Sequence, residues 1–182
     1  MKLELRDYPR IAIFVGLIAA LGLLPAVNIL PGVPVTAQTL GVMLSGAVLG
    51  SYRGTLAVFI FEVLVALGLP LLAGGRGGFA VFAGPTAGYL LGWLIGTWVI
   101  GAVFVWLKNL NYVLRAVLAL VLGGIVAVYI PGILWFATLN KFPILAVATG
   151  NLPFLVGDSV KIVIAVLVLL GLKAAYPKAL DN

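Results

Sequence analysis

The sequence predicts an all-α integral membrane protein, built as one bundle of six transmembrane helices. Of its 182 residues, 64% are hydrophobic and 9% are charged, and the mean hydropathy is +1.27. Soluble domains carry about 25% charged residues. Several apolar runs approach or exceed the roughly 20 residues that cross a bilayer as a helix. These runs use almost the whole chain, so we expect a single membrane domain over residues 1–182.

Glycine, proline and asparagine interrupt the apolar runs and so define the elements. The first helix follows the charged head MKLELRDYPR, and residues 27–38 form an uncharged Pro/Gly loop. Asn151 is the expected N-cap of the last helix, and Pro131-Gly132 is expected to bend or break the fifth. The predicted helices cover about residues 8–26, 38–52, 54–70, 84–107, 111–139 and 153–176.

The basic residues predict the orientation of the bundle. Six spans place both termini on one side, and cytoplasmic segments are enriched in Lys and Arg. One side receives Lys2, Arg6, Arg10, Arg53, Lys108, Arg115, Lys173 and Lys178, whereas the other receives Arg76 and Lys141. We therefore expect a multi-pass protein of a bacterial-type plasma (inner) membrane with both termini cytoplasmic. The net charge of +6 reflects this bias rather than a nucleic-acid partner.

Several kinds of chemistry are excluded by residue type. The chain has no Cys and no His, which excludes disulfide scaffolds, Cys/His zinc sites and histidine acid–base catalysis. Of five carboxylates, only Glu62 and Asp158 could lie within the membrane. Neither a nucleophile with a base beside it nor a set of metal ligands can be assembled. We expect no enzyme activity, and no metal or cofactor in this chain; Glu62 is assigned no role.

A glycine-rich segment, GLPLLAGGRGGFAVFAGPTAGY, joins two apolar runs at residues 68–89. We interpret about residues 71–83 as a re-entrant loop that covers a ligand, although a tight turn without a ligand is the alternative. Glycine permits tight bends and close backbone approach. The four closely spaced glycines are Gly74, Gly75, Gly77 and Gly78. A dinucleotide-binding loop is rejected because no strand precedes the segment.

Two opposite charges lie in the last apolar run, PFLVGDSVKIVIAVLVLL. Asp158 and Lys161 are three residues apart and so share a helix face. A charge near the centre of a membrane helix costs about 2.5–3.5 kcal/mol, so it is retained when it has a partner or a task. The pair is either a structural ion pair or the lining of a cavity in the outer half of the membrane. Thr36, Gln38, Thr39, Tyr89 and Trp93 either belong to an interfacial belt or add to the walls of that cavity.

The first helix carries a stripe of small residues. Ala12, Gly16 and Ala20 recur every four residues, and such a stripe lets another helix approach closely. The sequence pattern leaves two interpretations open: packing inside the bundle, or docking of a partner protein.

Three segments resemble the BioY family, the biotin-specific S components of energy-coupling factor (ECF) vitamin transporters. They are PVTAQTLGVMLSGAVLG at residues 34–50, GLPLLAGGRGGFAVFAGPTAGYLLGW at 68–93 and PFLVGDSVK at 153–161. The resemblance covers nearly the whole chain. It implies an S-component-like bundle of six helices that binds biotin from outside and has no ATPase of its own.

The resemblance also implies roles for individual residues. Asp158 would accept the ureido N–H groups of biotin, and Lys161 would donate to a ligand oxygen or hold Asp158 ionised. Arg76 in the loop would meet the tail carboxylate. Tyr89 and the loop glycines match the family's binding positions. Ala12, Gly16 and Ala20 match its docking feature, which favours docking on an ECF transmembrane coupling subunit attached to two ATP-hydrolysing subunits.

Two other functions remain open at this point. One is a standalone proton-coupled carrier of small solutes, with Glu62 and Asp158 as proton sites. The absence of a clean internal repeat weakens that reading, because many secondary carriers are built from repeats. The other is an S component for a different vitamin.

Overall fold

The computed structural model describes residues 3–30 and 33–176, except for the side chains of residues 27–30. Lys2 and Lys178, which contribute to the predicted charge bias, lie outside this range. The predicted all-α class is confirmed, because most of the chain is helical. The helices are α1 Asp7–Gly22, α2 Gln38–Ala66, α3 Ala87–Trp106, α4 Tyr112–Val121, α5 Ala127–Asn140, α6 Ile144–Gly150 and α7 Leu152–Ala175.

A small hairpin replaces part of the loop expected at residues 27–38. Strand β1, Val27–Leu30, pairs antiparallel with β2, Val33–Val35, with Val27 opposite Val35. The expectation of a plain loop was wrong here. Both segments are rich in β-branched residues, which favour strands. The prolines and the glycine among them led us to expect a loop instead.

Helix α2 turns back on itself at Gly50. This residue has φ 78° and ψ 179°, which is not a helical conformation. A Cβ atom on Gly54 would lie 2.6 Å from the carbonyl oxygen of Ser45, nine residues earlier. A straight helix would separate these positions by roughly 13 Å. The two limbs of α2 are therefore antiparallel; the sequence predicted two helices here, with the break at residue 53 rather than at Gly50.

Four helical segments in the described ranges are long and apolar enough to cross a membrane, although the reversal at Gly50 divides the first of them into two shorter limbs. They are Gln38–Ala66, Ala87–Trp106, Tyr112–Asn140 and Leu152–Ala175. Helix α1 has 16 residues. The segment Tyr112–Asn140 includes a π-helical turn at Leu122–Val126 and then continues through Pro131. The sequence predicted a bend or break at Pro131-Gly132, but the irregular turn lies before these residues, at Leu122–Val126. The short helix α6 lies in a segment that was expected to be a loop.

The helix ends collect at two opposite ends of the bundle. At one of them, the Asp7 carboxylate lies 2.9 Å from Nε of Arg53, which follows the turn of α2. Nζ of Lys173, near the end of α7, lies 4.2 Å from the ring centroid of Tyr112, at the start of α4. We call this the basic end. Its described basic residues are Arg6, Arg10, Arg53, Lys108, Arg115 and Lys173.

Glycines of α3 let this helix pack closely against the segment that runs from the π turn through α5. A Cβ atom on Gly92 would lie 2.6 Å from the carbonyl oxygen of Val128 and 2.8 Å from its Cα atom. Cβ atoms on Gly88 and Gly96 would meet backbone atoms of Pro131 and Gly123 in the same way. In a membrane, close backbone approach between small residues is a main source of helix association.

Replacing Gly92 with valine is expected to destabilise the bundle. The new side chain would overlap backbone atoms of Val128, and overpacking a core costs about 1–3 kcal/mol. At about 2–4 °C per kcal/mol, the melting temperature in detergent should fall by roughly 2–12 °C. Gly16→Val is the matched control, because a Cβ atom on Gly16 meets nothing within 4 Å. Equal melting temperatures for the two variants would contradict the proposed packing.

Candidate functional site

A cavity lies at the end of the bundle opposite the basic end. Its volume is about 70 Å³, and it is partly open to the surroundings. Its walls come from β2, the start of α2, the glycine loop, the start of α3, the middle of the α4–α5 segment and the start of α7. Eight residues that the sequence singled out line it: Thr36, Gln38, Thr39, Arg76, Tyr89, Trp93, Asp158 and Lys161.

Asp158 is the centre of a polar cluster in this cavity. It is 5% exposed, and its Oδ1 accepts a hydrogen bond from Nζ of Lys161 at 2.7 Å. Its Oδ2 accepts a hydrogen bond from the Tyr129 hydroxyl at 2.5 Å. The Thr39 hydroxyl lies 3.4 Å from Oδ1 and accepts a hydrogen bond from Lys161 at 2.8 Å. The Asp158–Lys161 pair is thus formed, and two further residues hold it in place.

The cluster retains hydrogen-bonding capacity for a ligand. A carboxylate offers about four lone-pair sites and an ammonium three donors. The described contacts use three acceptor positions on Asp158 and two donors on Lys161. One acceptor position, on Oδ2 of Asp158, and one donor of the Lys161 ammonium therefore remain, and both residues line the cavity. This arrangement suits a neutral ligand that carries an N–H group next to a carbonyl oxygen.

The rest of the wall near this cluster is apolar. Leu90, Trp93, Val128 and Phe154 are buried and line the cavity. The rings of Tyr89 and Tyr129 meet edge to face, with their centroids 6.4 Å apart. Apolar walls with a few fixed polar groups are the usual build of a small-molecule site. The cavity can therefore hold an apolar ring whose polar edge faces Asp158.

Tyr129 is a site residue that sequence reasoning missed. It lies in the third quarter of the Tyr112–Asn140 segment, far from either end. Tyrosine in a membrane helix is usually found at the interface, so a tyrosine at this depth was the available signal. Its ring packs on Tyr89 and its hydroxyl bonds Asp158, which makes it a link between the apolar wall and the polar cluster.

Asn151 occupies the N-cap position of α7, as predicted, but its side chain does not cap the helix. Its Oδ1 instead accepts a hydrogen bond from the Tyr89 hydroxyl at 2.7 Å, and its Nδ2 donates to the carbonyl oxygen of Val147 at 2.8 Å. The predicted N-cap position is thus confirmed, whereas the expected side-chain capping bond is absent because the buried tyrosine hydroxyl is a competing partner. Asn151 fixes the position of Tyr89.

Gln38 lines the cavity but uses its side chain to hold the glycine loop. Its Nε2 donates to the carbonyl oxygens of Ile18 at 3.2 Å and Leu71 at 3.0 Å. Its Oε1 accepts from the backbone N–H of Ala73 at 3.1 Å. Thr36 accepts the backbone N–H of Gln38 through its hydroxyl at 3.3 Å. Both residues support the wall by bonding to the protein.

The four loop glycines shape the loop but do not line the cavity. Gly74, Gly75 and Gly78 have φ values of 76°, 69° and 87°, which only glycine adopts readily. A Cβ atom on Gly77 would collide with the carbonyl oxygen of Leu69. Gly74 and Gly75 border an outer recess instead. The sequence predicted that these glycines contact the ligand directly, but they do not line the cavity. Their backbone conformations instead bring other residues of the loop, such as Leu72 and Arg76, to it.

Arg76 borders both the cavity and the outer recess. Its backbone pairs with that of Leu72 through hydrogen bonds of 3.0 and 3.2 Å, and its Nε donates to the carbonyl oxygen of Ala73 at 3.3 Å. Partial burial lowers the pKa of Arg76, although a guanidinium remains charged in proteins. A cation therefore lies at the mouth of the cavity.

The small-residue stripe of α1 faces outwards. Ala12, Gly16 and Ala20 are exposed, whereas α1 buries its opposite face through Ile11, Val15 and Ile18. The interpretation that the stripe packs inside the bundle was therefore wrong. The stripe forms a flat, exposed surface on the side of the protein.

Glu62 lies outside the cavity lining. It is 6% exposed, and its Oε1 has no hydrogen-bond partner among the described residues. Within residues 3–30 and 33–176, no group of three His, Cys, Asp or Glu side chains is placed to hold a metal ion.

Comparisons with known proteins give one consistent result. A sequence profile of the BioY family matches residues 1–178. The chain is 46% identical to "Biotin transporter BioY" of Rhodobacter capsulatus, over 96% of this chain and 97% of that protein. It is 43% identical to the protein of the same name from Rhizobium etli, over 94% and 95%. A crystal structure described as the "S-component for biotin from an ECF-type ABC transporter" has a TM-score of 0.86 and 31% identity, covering 93% of this chain and 91% of the other.

Proposed function

The chain belongs to the BioY family, and from this premise we propose that it is the biotin-binding S component of an ECF-type uptake transporter. The family and the relatives above are transporters rather than enzymes. The observation that carries the proposal is the Asp158–Lys161 cluster facing an apolar cavity. A structural ion pair alone would need neither the cavity nor the tyrosine and threonine that fix the pair.

Biotin has the chemistry that this cavity accommodates. Its ureido ring presents N–H donors next to a carbonyl oxygen, which match the free acceptor of Asp158 and the free donor of Lys161. Its apolar thioether ring would pack against Trp93 and the tyrosine pair. Its tail carboxylate would point to the mouth of the cavity, where Arg76 supplies a cation. Charge-assisted hydrogen bonds of this kind are roughly twice as strong as neutral ones.

The charge distribution supports an orientation for the bundle. The basic end would face the cytoplasm together with both termini, and the cavity would open in the outer half of a bacterial-type plasma membrane. Arg76 and Lys141 belong to the opposite end, as expected for the side with few positive charges. Biotin would then enter from outside past the glycine loop, which also borders the outer recess.

Energy coupling is proposed to come from partner subunits. Two ATPase subunits would hydrolyse ATP, and an ECF transmembrane coupling subunit would dock on the stripe formed by Ala12, Gly16 and Ala20. The exposure of this stripe supports the proposal, because a surface without large side chains allows close helix approach. This chain itself would need no cofactor.

Isothermal titration of the purified protein with biotin tests the ligand assignment. We expect one-to-one binding of biotin and no heat with riboflavin or thiamine. Binding of another vitamin in place of biotin would keep the S-component role and change the substrate. No heat with biotin, in protein that melts cooperatively, would refute the assignment.

A standalone proton-coupled carrier is the second candidate, and the buried carboxyl of Glu62 with its unbonded Oε1 favours it. Liposomes that contain only this protein separate the two functions. Biotin uptake driven by an imposed proton gradient, without ATP or partner subunits, would support the carrier. Accumulation only after addition of the coupling and ATPase subunits supports the S component.

Replacing Tyr129 with phenylalanine is expected to weaken biotin binding about 3–10-fold. The change removes the hydroxyl that donates to Oδ2 of Asp158 and leaves the ring in place. Hydrogen bonds to charged groups contribute about 1.5–3 kcal/mol, and only part of this reaches the ligand because Asp158 keeps its other partners. Tyr52→Phe, at the basic end and half exposed, is the control. Unchanged affinity in Tyr129→Phe would show that the hydroxyl does not position the carboxylate for the ligand.

A further inference from the structure

Another recess, lined by basic residues, lies at the basic end of the bundle, far from the proposed biotin cavity. It lies between the turn of α2 at Gly50, the last turns of α3 at Gly101 and Phe104, and the first turn of α4, and its volume is about 60 Å³. Lys108 and Arg115 line it. The proposed binding and docking surfaces use neither residue.

The recess concentrates positive charge without acidic partners. Lys108 and Arg115 are joined by Lys173, which faces the ring of Tyr112 next to the recess. Three of the four described carboxylates are paired elsewhere: Glu4 with Arg6, Asp7 with Arg53 and Asp158 with Lys161. The fourth, Glu62, makes no ion pair within the described ranges. No carboxylate that the structure describes therefore neutralises these three cations.

Two buried polar atoms, one on the recess-lining Arg115 and one on Tyr112 beside it, have no hydrogen-bond partner in the described part of the chain. They are Nε of Arg115 and the hydroxyl of Tyr112. The Arg115 guanidinium lies 4.9 Å from the ring centroid of Phe104 and 5.5 Å from that of Tyr112. Cation–π contacts hold it in place but satisfy none of its N–H groups. Buried donors normally have partners, so an anion with several oxygen atoms is the complementary ligand.

The surroundings of the recess match the membrane interface. Trp106 is 80% exposed and Tyr176 is 68% exposed, and exposed aromatic residues at helix ends mark the headgroup level. Exposed aliphatic side chains continue from the recess along the outside of α3 and α4, including Val105, Val113 and Leu114. A ligand that occupies the recess would thus have its charged part at the headgroup level and an apolar surface beside it.

We infer that this recess binds the phosphate of an anionic phospholipid, with Arg115 as the central contact and Lys108 and Lys173 beside it. Arginine binds phosphate oxygens through two parallel N–H groups, and basic pockets between membrane helices are suited to anionic headgroups. The acyl chains would lie along the exposed aliphatic faces of α3 and α4. A soluble anion would gain nothing from these faces, which favours the lipid.

Native mass spectrometry of the full-length protein, released from detergent after titration with phosphatidylglycerol, tests this inference. We expect one phosphatidylglycerol to bind at least tenfold more tightly than phosphatidylcholine. Arg115→Gln should lower the affinity for phosphatidylglycerol at least tenfold, and Lys108→Gln several-fold. Lys141→Gln removes an exposed cation at the opposite end and should change it less than twofold. Unchanged biotin affinity shows that the variants are folded.

Three results would overturn the inference. Equal loss of lipid in Arg115→Gln and Lys141→Gln would mean that the lipid responds to overall charge. Inorganic phosphate that binds as tightly as phosphatidylglycerol would identify a soluble anion as the ligand. Phosphatidylcholine that binds as tightly as phosphatidylglycerol would show that the recess does not recognise the anionic headgroup.

Discussion

Asp158→Asn is expected to lower the affinity for biotin at least tenfold. The substitution keeps the shape of the side chain but removes its charge, leaving the Lys161 ammonium, 2.7 Å away, without a counterion. Breaking a buried ion pair by removing one partner costs about 3–5 kcal/mol. Part of this cost destabilises the free protein and does not weaken binding. The rest needs to be only about 1.4 kcal/mol for a tenfold loss of affinity. Titration calorimetry with biotin measures the change.

Asp7→Asn is the matched control for this experiment. It also removes a buried carboxylate from an ion pair, here with Arg53 at 2.9 Å, but at the basic end. We expect it to lower the melting temperature and leave biotin affinity unchanged. If both variants lose affinity equally, the effect of Asp158→Asn reflects general destabilisation, and the proposed contact with the ligand is wrong.

Gly16→Trp is expected to reduce ATP-driven biotin uptake at least tenfold while biotin binding stays unchanged. An indole at the centre of the stripe would hold a docking helix several ångströms away, because Ala12 and Ala20 on either side are small and exposed. The side chain has free space in the isolated protein, since even a Cβ atom on Gly16 meets nothing within 4 Å. Uptake is measured in liposomes that contain this protein with the coupling and ATPase subunits.

Leu167→Trp provides the comparison for docking. Leu167 is 62% exposed on α7, so the substitution adds a similar side chain to another membrane-facing helix. We expect normal uptake in this variant. Loss of uptake in both variants would point to a general effect of tryptophan on the bundle, and full uptake in Gly16→Trp would exclude the stripe as the docking surface.

The candidate site was only partly predictable. The Asp158–Lys161 contact followed from spacing along one helix, because residues three apart share a face in any α-helix. Thr39 and Tyr129 reach the same carboxylate from 119 and 29 positions away. Gln38 was identified as a site residue, but its hydrogen bonds to Leu71 and Ala73 depend on the glycine loop folding back over the start of α2.

The sequence by itself determined the class of the protein, the apolar character of its long helices, the distribution of charges along the chain and the pair of charges in α7. These features depend on local composition, because the cost of placing a residue in the bilayer depends mainly on that residue and its depth. Only the tertiary structure decided which helix faces meet, that α2 reverses at Gly50 and that the stripe of α1 is exposed. Lipid is as apolar as a protein core, so an apolar helix does not reveal in its sequence which face it buries.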